Sequence, residues 1–204
     1  DFNASKGLIL LEDLGDVTLL RELETVTSSA DELKLFSKVV ELLAVMHEQA
    51  SHPSATPGLE SFGMRFDFEK LNWEINFTLE HFYAFHLKRE FAGNDLKKIR
   101  AGFDRICRHL ESLPTVFTHR DFHSRNVMVQ PTQTGDKRFV MIDFQDARLG
   151  PAQYDLASLV RDSYYQLEEA QLQKLLDLYW LNRPAVLKAG SREEFERDFD
   201  WMAV

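Results

Sequence analysis

The chain has 204 residues, 44% of them hydrophobic and 16 of them phenylalanine, which predicts a globular unit with a hydrophobic core. Its formal net charge of −9 argues against nucleic acid and anionic membranes as main partners. The single cysteine excludes an internal disulfide, and no apolar run is long enough to span a membrane. With no signal peptide in the sequence, these features predict a cytoplasmic protein.

The chain opens with an apolar run at 7–11 that predicts a buried strand, followed by a glycine turn. A long amphipathic helix is expected next, because apolar residues recur at helical spacing over 33–46. Ser29 and Glu32 before this stripe have the spacing of a capping box. His47 follows the stripe directly, so we expect it to pack in the core or cap the helix rather than bind a ligand.

The middle and end of the chain are predicted to be mostly helical. A segment rich in Pro, Ser, Thr and Gly predicts a loop over 51–63. The aromatic-rich segment 68–91 predicts one helix, and the apolar spacing over 99–113 predicts another that ends at a proline. Two further helices are expected over 156–167 and 172–179.

Between these helical regions, three short β-branched or aromatic runs surround a polar loop, at 116–118, 127–129 and 138–142. The last two runs are joined by a Pro, Thr, Gly and Asp turn, which predicts a β-hairpin. The polar loop carries Asp121, while Asn126 and Asp143 stand at the two open ends of the hairpin. We therefore expect Asn126 and Asp143 to lie side by side.

These three polar side chains are the groups that phosphoryl transfer from ATP requires. A carboxylate accepts the proton of the attacking hydroxyl, and oxygen ligands bind magnesium. Because Mg²⁺ keeps water and phosphate as its other ligands, one amide and one carboxylate from the protein are sufficient. The pattern predicts Asp121 as the catalytic residue and Asn126 with Asp143 as the metal ligands.

The polar loop resembles the H-R-D-x-x-x-x-N and D-F-G motifs of protein kinases but departs from them. His123 stands where serine/threonine kinases typically carry lysine, and Gln145 stands where kinases carry the glycine of D-F-G. The sequence is more similar to the aminoglycoside phosphotransferase and choline kinase family, whose signature is H-x-D-x-H-x-x-N followed by I-D-F. The positions that carry this signature are His119, Asp121, His123, Asn126, Ile142, Asp143 and Phe144.

The resemblance implies an α+β, protein-kinase-like fold, with a mainly helical C-terminal lobe and short β-hairpins around the catalytic loop. It makes residues 1–16 the hinge strand and linker, and residues 17–204 the catalytic lobe. The N-terminal β-rich lobe of the family is expected to be missing from this chain, which looks truncated at both ends. By the same resemblance, the backbone carbonyl of Glu12 and the backbone amide of Leu14 bind ATP.

Two segments, 11–16 and 142–147, are similar to the bacterial amino-sugar kinases of this family, which phosphorylate the anomeric hydroxyl of N-acetylmuramate and N-acetylglucosamine. This similarity implies a small-molecule kinase that uses ATP and Mg²⁺ to phosphorylate an amino-sugar hydroxyl. It makes His119 and Asp155 structural supports of the catalytic loop. The candidate acceptor-binding residues are Glu74, Glu80, His81, Arg120 and Asp146.

Other functions stay open from the sequence. The acceptor can be an aminoglycoside or a choline-type alcohol, and without its partner lobe the fragment is expected to behave as a catalytically silent pseudokinase or scaffold. A metal-dependent hydrolase with His119, Asp121 and His123 as ligands is a further alternative. No second cluster of His or carboxylate residues completes such a site, so the sequence favours phosphoryl transfer. The expected partners are a small hydroxyl acceptor and the missing lobe.

Overall fold

The computed structural model describes residues 2–52 and 62–203, so the loop predicted over 51–63 lies largely outside the described residues. The helices are α1 (Leu19–Leu23), α2 (Ser29–Gln49), α3 (Phe68–Phe77), α4 (Gly93–Glu111), α5 (Ala152–Val160), α6 (Glu169–Asn182) and α7 (Arg192–Met202). The strands are β1 (Phe2–Asn3), β2 (Leu8–Ile9), β3 (Thr115–Thr118), β4 (Val127–Pro131), β5 (Lys137–Met141) and β6 (Arg148–Pro151). In the described part of the chain, no helix combines the length and the apolar character needed to cross a membrane.

Helix α2 is the centre of the hydrophobic core. Its Phe36, Val40 and Leu43 are fully buried, as the helical spacing predicted. The helix packs against α5, α6 and β3, which brings His47 next to the loop that follows β3. The expected α+β architecture, mainly helical with short antiparallel pairs around this loop, is confirmed.

The start of α2 differs from the prediction by one residue. Its N-cap is Ser28, whose side chain accepts a hydrogen bond from the N–H two residues later at 3.2 Å. The Glu32 carboxylate accepts a hydrogen bond from the Tyr165 hydroxyl instead of bonding back to the cap. The predicted capping box of Ser29 and Glu32 is therefore wrong.

The N-terminal apolar run is exposed rather than buried. Only Leu8–Ile9 forms a strand, and it pairs with the two residues of β1. Leu8 is 59% exposed and Ile9 is 66% exposed, because a two-residue hairpin has no second layer to pack against. The prediction of a buried strand over 7–11 is wrong for this structure.

Two antiparallel pairs of strands hold the two ends of the polar loop. β4 pairs with β5, with Val127 opposite Met141, which confirms the predicted hairpin. β3 pairs with β6, with Val116 opposite Gly150. The loop between β3 and β4 therefore begins and ends on paired strands, and its backbone has little freedom to move.

The helix predicted over 68–91 forms as two consecutive parts. Asp67 caps α3, because its side chain accepts a hydrogen bond from the Lys70 N–H at 2.8 Å. From Thr78 to His86 the backbone continues as a π-helix. A π-helix has more residues per turn than an α-helix. Side chains beyond Thr78 therefore point in other directions than the α-helical spacing of α3 would give them.

Two glycines give opposite predictions for replacement by alanine. A Cβ at Gly150 would lie 2.6 Å from Cδ2 of Phe66 and 3.1 Å from Oγ1 of Thr118, so we expect G150A to lower the free energy of unfolding by about 1–3 kcal/mol. A Cβ at Gly102 in α4 meets no atom within 4 Å, so G102A should raise it by about 0.5–1 kcal/mol. Urea denaturation measures both changes, and a shift of the same sign in the two variants would contradict this packing argument.

Candidate active site

The candidate catalytic loop runs from His119 to Asn126, between β3 and β4. Within it, Arg120 has a φ of +78°, and Asp143, just after β5, has a φ of +69°. Such left-handed backbone is costly for residues other than glycine and concentrates at functional sites. Lys88 is the one other non-glycine residue of the described chain with a positive φ. Backbone strain therefore lies where the sequence predicts the chemistry.

The buried carboxylate of Asp155 holds this loop from α5. Its Oδ2 accepts a hydrogen bond from the His119 N–H at 2.7 Å, and its Oδ1 accepts one from the Arg120 N–H at 2.9 Å. Because Asp155 is fully buried, these charge-assisted bonds are not exchanged with water. The structure thus places Asp155 where a support of the catalytic loop was expected.

Asp155 is also the end of a buried chain of polar contacts through α2 and α6. His47 Nε2 lies 3.1 Å from Asp155 Oδ2, and His47 Nδ1 lies 2.7 Å from the Tyr179 hydroxyl. An ionised carboxylate only accepts hydrogen bonds, so Nε2 carries the proton and Nδ1 accepts from the hydroxyl. Burial, and then the charge of Asp155, raise the pKa of Tyr179 well above its ordinary value, which keeps the hydroxyl protonated. Three helices therefore share one network that ends on the catalytic loop.

His119 lies buried inside the loop, and its Nδ1 accepts a hydrogen bond from the Asp121 N–H at 3.3 Å. Burial lowers the pKa of His119, and the opposing influences are Asp155, a backbone group of Ile142, Asp121 and Asp143. Its buried Nε2 has no hydrogen-bond partner of normal geometry among the described residues. The neutral ring is favoured, so this group costs stability as the pH falls below its ordinary pKa of about 6.5. His119 braces the loop, and both candidate active-site carboxylates lie near it.

Both carboxylate oxygens of Asp121 are held by side chains of the same loop. His123 Nε2 lies 3.2 Å from Oδ1, and Asn126 Nδ2 donates to Oδ2 at 3.2 Å. The Asp121 side chain is nevertheless 55% exposed, which leaves it open to an incoming hydroxyl. A carboxylate that is fixed and accessible can orient a hydroxyl and accept its proton.

Asn126 and Asp143 lie at the same open end of the β4–β5 hairpin. Val127 pairs with Met141, and the Ile142 N–H donates to the Asn126 carbonyl at 3.0 Å. This register sets Asn126 just before one strand and Asp143 just beyond the other. The hairpin therefore brings the two predicted metal ligands to one edge of the sheet.

The polar atoms at this edge fit a hard divalent cation such as Mg²⁺. Asn126 uses Nδ2 to donate to the Asp121 carbonyl at 3.0 Å as well as to its carboxylate, and no described donor bonds to the amide oxygen Oδ1. The Asp143 carboxylate is exposed and forms no ion pair or hydrogen bond with a described residue. Amide and carboxylate oxygens are the ligands that Mg²⁺ prefers, so these two groups would hold it together with phosphate and water.

The geometry does not favour the hydrolase alternative. Within residues 2–52 and 62–203, no three His, Cys, Asp or Glu side chains form a group that could hold a metal ion. His119, one of the three ligands in that alternative, is buried, and its Nδ1 already accepts the Asp121 N–H. The alternative therefore lacks an accessible first ligand.

Three of the candidate acceptor-binding residues pair with one another. Arg120 Nη2 donates to Glu74 Oε1 at 3.0 Å, and Arg120 Nη1 lies 3.8 Å from Asp146 Oδ2. The guanidinium is mostly buried over the ring of Phe66. This ion-pair network ties α3 to the catalytic loop and to the segment after Asp143. These charges shape the wall of the site, and Lys70, which lies 3.2 Å from Glu74 Oε1, balances the second carboxylate.

The structure does not bring Glu80 and His81 to the catalytic loop. His81 packs on the ring of Phe77 with a centroid distance of 4.2 Å, and Glu80 lines a hollow with Arg89 and Arg100. Neither side chain makes a described contact with a residue of the catalytic loop. The π-helix accounts for this, because it turns the side chains after α3 away from the face that carries Glu74.

The segment with Glu12 and Leu14 runs along the β4–β5 hairpin. The Glu12 carboxylate pairs with Arg138 on β5 at 2.7 Å, and this hydrogen bond lowers the pKa of Glu12. Further along, the Val129 N–H donates to the Val17 carbonyl at 2.8 Å. No described residue hydrogen-bonds to the Glu12 carbonyl oxygen or the Leu14 N–H. The two backbone groups predicted to bind ATP thus lie along the hairpin that ends at the two predicted metal ligands.

Sequence reasoning missed two residues after α5 that contact the catalytic loop. Asp162 Oδ2 accepts a hydrogen bond from the Ser124 N–H at 2.8 Å. The ring of Tyr164 contacts His123 edge-on, with a centroid distance of 5.3 Å. Both residues fall inside the helix predicted over 156–167, which ends at Val160 in the structure, so no sequence signal marked them.

Comparison with known proteins places these motifs in a family. Residues 4–188 match the model of the phosphotransferase enzyme family. The chain is 33% identical over 201 residues to the N-acetylmuramate/N-acetylglucosamine kinase of Neisseria meningitidis serogroup B, an alignment that covers 97% of this chain and 56% of that protein. It is 30% identical over 200 residues to the protein of the same name from Pseudomonas aeruginosa, with 97% and 54% covered.

Among solved structures, an ethanolamine kinase of Plasmodium vivax aligns with 84% of this chain and 50% of its own, at 14% identity and a TM-score of 0.49. The chain spans about half the length of the curated relatives it matches. The family match covers the whole catalytic loop and both strands of the hairpin that ends at Asp143. The family predicted from the sequence is confirmed, and the chain belongs to the phosphotransferase enzyme family, the aminoglycoside phosphotransferases whose signature its catalytic loop carries.

Proposed function

We propose that this protein transfers the γ-phosphoryl group of ATP to a hydroxyl of an amino sugar, N-acetylmuramate or N-acetylglucosamine. The names of its relatives support the amino sugar. The observation that carries the proposal is the Asp121 carboxylate, held on both oxygens by His123 and Asn126 yet open to solvent. In this proposal residues 17–204 are the catalytic lobe and residues 1–16 the hinge.

In the proposed reaction Asp121 orients the acceptor hydroxyl and takes its proton. The hydroxyl oxygen forms a bond to the terminal phosphorus of ATP while the bond from that phosphorus to the leaving oxygen of ADP breaks. Because the transition state of such transfers is loose, the carboxylate acts mainly by positioning the hydroxyl, and the proton moves late. His123 and Asn126 keep the carboxylate in one orientation, which lowers the entropic cost of reaching the reactive geometry.

The nucleotide and its cation would be held by groups on the hairpin and the hinge. Mg²⁺, when bound, supplies charge neutralisation at the phosphate oxygens. Asn126 through its amide oxygen and Asp143 through its carboxylate would hold it. The backbone carbonyl of Glu12 and the backbone amide of Leu14 would bind the adenine ring. Because these are backbone groups, the identities of the two side chains do not reveal this role.

Replacing Asp143 by alanine removes one of the two proposed cation ligands. We expect the Mg²⁺ concentration for half-maximal binding of a non-hydrolysable ATP analogue to rise at least about tenfold. A loss of about tenfold in metal affinity is the smallest that is usual when a residue that only supports a metal ligand is replaced. Isothermal titration calorimetry of the full-length protein measures this. Asp136→Ala, in the turn at the other end of the same hairpin, is the matched control and should bind as wild type does. Unaltered Mg²⁺ dependence in D143A would reject the ligand assignment.

An acceptor screen with the full-length protein and ATP tests the proposed function. We expect ³¹P NMR to find the phosphate on the anomeric oxygen of N-acetylmuramate or N-acetylglucosamine. Kanamycin and choline, offered at the same concentration, should be poorer acceptors. Faster phosphorylation of kanamycin or choline would show that the substrate is not an amino sugar. Absence of ATP consumption with every acceptor would overturn the whole proposal.

A further inference from the structure

Arg125 is a cation beside the candidate active site that has no carboxylate partner in the described part of the chain. It lies in the catalytic loop, next to Asn126, and its side chain is exposed. Its N–H donates to Nδ1 of His123 at 3.3 Å, which fixes its backbone. By contrast, Arg120 in the same loop pairs with Glu74. The catalytic loop therefore carries an accessible guanidinium that has no acidic partner among the described residues.

The ring of Tyr164 supports this guanidinium. The Arg125 guanidinium carbon lies 4.8 Å from the ring centroid, within the range of a cation–π contact. The ring is held in place because Asp162 uses one oxygen for the Tyr164 N–H and the other for the Ser124 N–H, both at 2.8 Å. Both Asp162 oxygens accept backbone hydrogen bonds, so this carboxylate is committed to the loop rather than to Arg125. The cation and its aromatic support are thus built into the fold.

This pair is linked directly to the proposed base. Tyr164 contacts the ring of His123, with a centroid distance of 5.3 Å, and His123 Nε2 lies 3.2 Å from Asp121 Oδ1. Asp121, His123, Tyr164 and Arg125 therefore form a continuous set of contacts along one wall of the site. An acceptor whose hydroxyl lies at Asp121 would bring its other substituents within reach of Arg125.

We propose that Arg125 and Tyr164 form a subsite for a carboxylate on the acceptor sugar, an inference that rests on the proposed function. It makes N-acetylmuramate, which carries a carboxylate on its lactyl substituent, a better acceptor than the neutral N-acetylglucosamine. A guanidinium binds a carboxylate through two parallel hydrogen bonds, a geometry that an ammonium group cannot reproduce. The net charge of −9 repels an anionic acceptor, so a local cation is needed to bind one.

Comparing the two sugars in an Arg125→Gln variant of the full-length protein tests the subsite. We expect kcat/KM for N-acetylmuramate to fall about tenfold to a hundredfold, as charge-assisted hydrogen bonds predict, while kcat/KM for N-acetylglucosamine stays unchanged. Arg125→Lys should recover only part of the loss, and Tyr164→Phe, which keeps the ring, should retain the preference. Arg161→Gln is the matched control, because the Arg161 side chain is exposed, pairs with Glu169 and makes no described contact with the catalytic loop.

Three results would overturn the subsite. R125Q could lose kcat/KM equally for both sugars, or it could keep the preference for N-acetylmuramate. It could also show a raised KM for ATP, which would mean that Arg125 binds the phosphates. If wild type phosphorylates neither sugar, the proposed function fails, and binding then decides the subsite on its own. Saturation-transfer NMR with Mg²⁺ and a non-hydrolysable ATP analogue should show N-acetylmuramate bound more tightly by wild type than by R125Q. Equal binding of both sugars by wild type, or unaltered binding in R125Q, would reject it.

Discussion

An Asp121→Asn variant is expected to lose phosphoryl transfer by about 10²- to 10⁴-fold, the usual contribution of a positioned acid or base. Asparagine cannot accept the proton of the acceptor hydroxyl. Its amide nitrogen would also face a donor, because His123 lies against one Asp121 oxygen and Asn126 donates to the other. The position of the hydroxyl is therefore lost together with the proton acceptor. ATP affinity should stay close to that of wild type, since Asp121 contacts the acceptor in this mechanism.

Steady-state kinetics of the full-length protein with ATP and N-acetylglucosamine measure the loss, and calorimetry with an ATP analogue measures nucleotide binding. Asp136→Asn, an exposed aspartate in the β4–β5 turn, is the control for the same chemical change. Turnover near the wild-type rate in D121N would show that Asp121 is not the catalytic base. A large loss of ATP affinity would instead make it part of the nucleotide site.

The parts of the fold that can be predicted from sequence are those in which the residue pattern of a single segment determines its secondary structure. The buried stripe of α2 repeats at helical spacing, and Phe36, Val40 and Leu43 are fully buried. The β4–β5 hairpin follows from two β-branched runs joined by a turn, and its register sets Asn126 and Asp143 at one end. For that reason the sequence alone could predict that these two side chains lie at the same end of the hairpin.

The parts that sequence did not reveal depend on partners far along the chain. β6 consists of Arg148 to Pro151, a run with no strand pattern, and it becomes a strand only because β3 pairs with it. His47 was expected to pack in the core, and it does, but its bond to Asp155 joins residues 108 positions apart. No spacing rule predicts such a contact, because the partner is chosen by helix packing.

Sequence alone could not separate the acceptor-binding candidates from one another, for a related reason. Sequence shows charges but not which of them neutralise each other. Glu74 and Asp146 turn out to pair with Arg120, while Glu80 lines a hollow with Arg89 and Arg100 and makes no described contact with the catalytic loop. A charged side chain is a useful candidate for binding only when its neighbours leave it unpaired, and that requires tertiary structure.

An Asp155→Asn variant should lose about 3–5 kcal/mol of unfolding free energy, because it removes charge-assisted hydrogen bonds and leaves at least one buried donor unpaired. Every described neighbour of the carboxylate is a donor: the His119 N–H and His47 Nε2 at one oxygen, and the Arg120 N–H at the other. Whichever way the asparagine amide is turned, its NH₂ group must face one of these donors. The loop backbone would then lose an anchor, so the folded variant should also turn over slowly.

Asp198→Asn is the matched control, since Asp198 is buried and lies 2.7 Å from His109 Nε2 in a second aspartate–histidine pair. All of its described contacts, with His109 and Arg197, use the same oxygen, Oδ1. An asparagine amide oxygen can replace that atom with the NH₂ group turned away, so D198N should lose much less stability. Urea denaturation of both variants measures the difference. Equal losses would show that the loss of unfolding free energy comes from burial of the charge and not from the donors around Asp155. The network would then not stabilise the catalytic loop more than any other buried aspartate–histidine pair does.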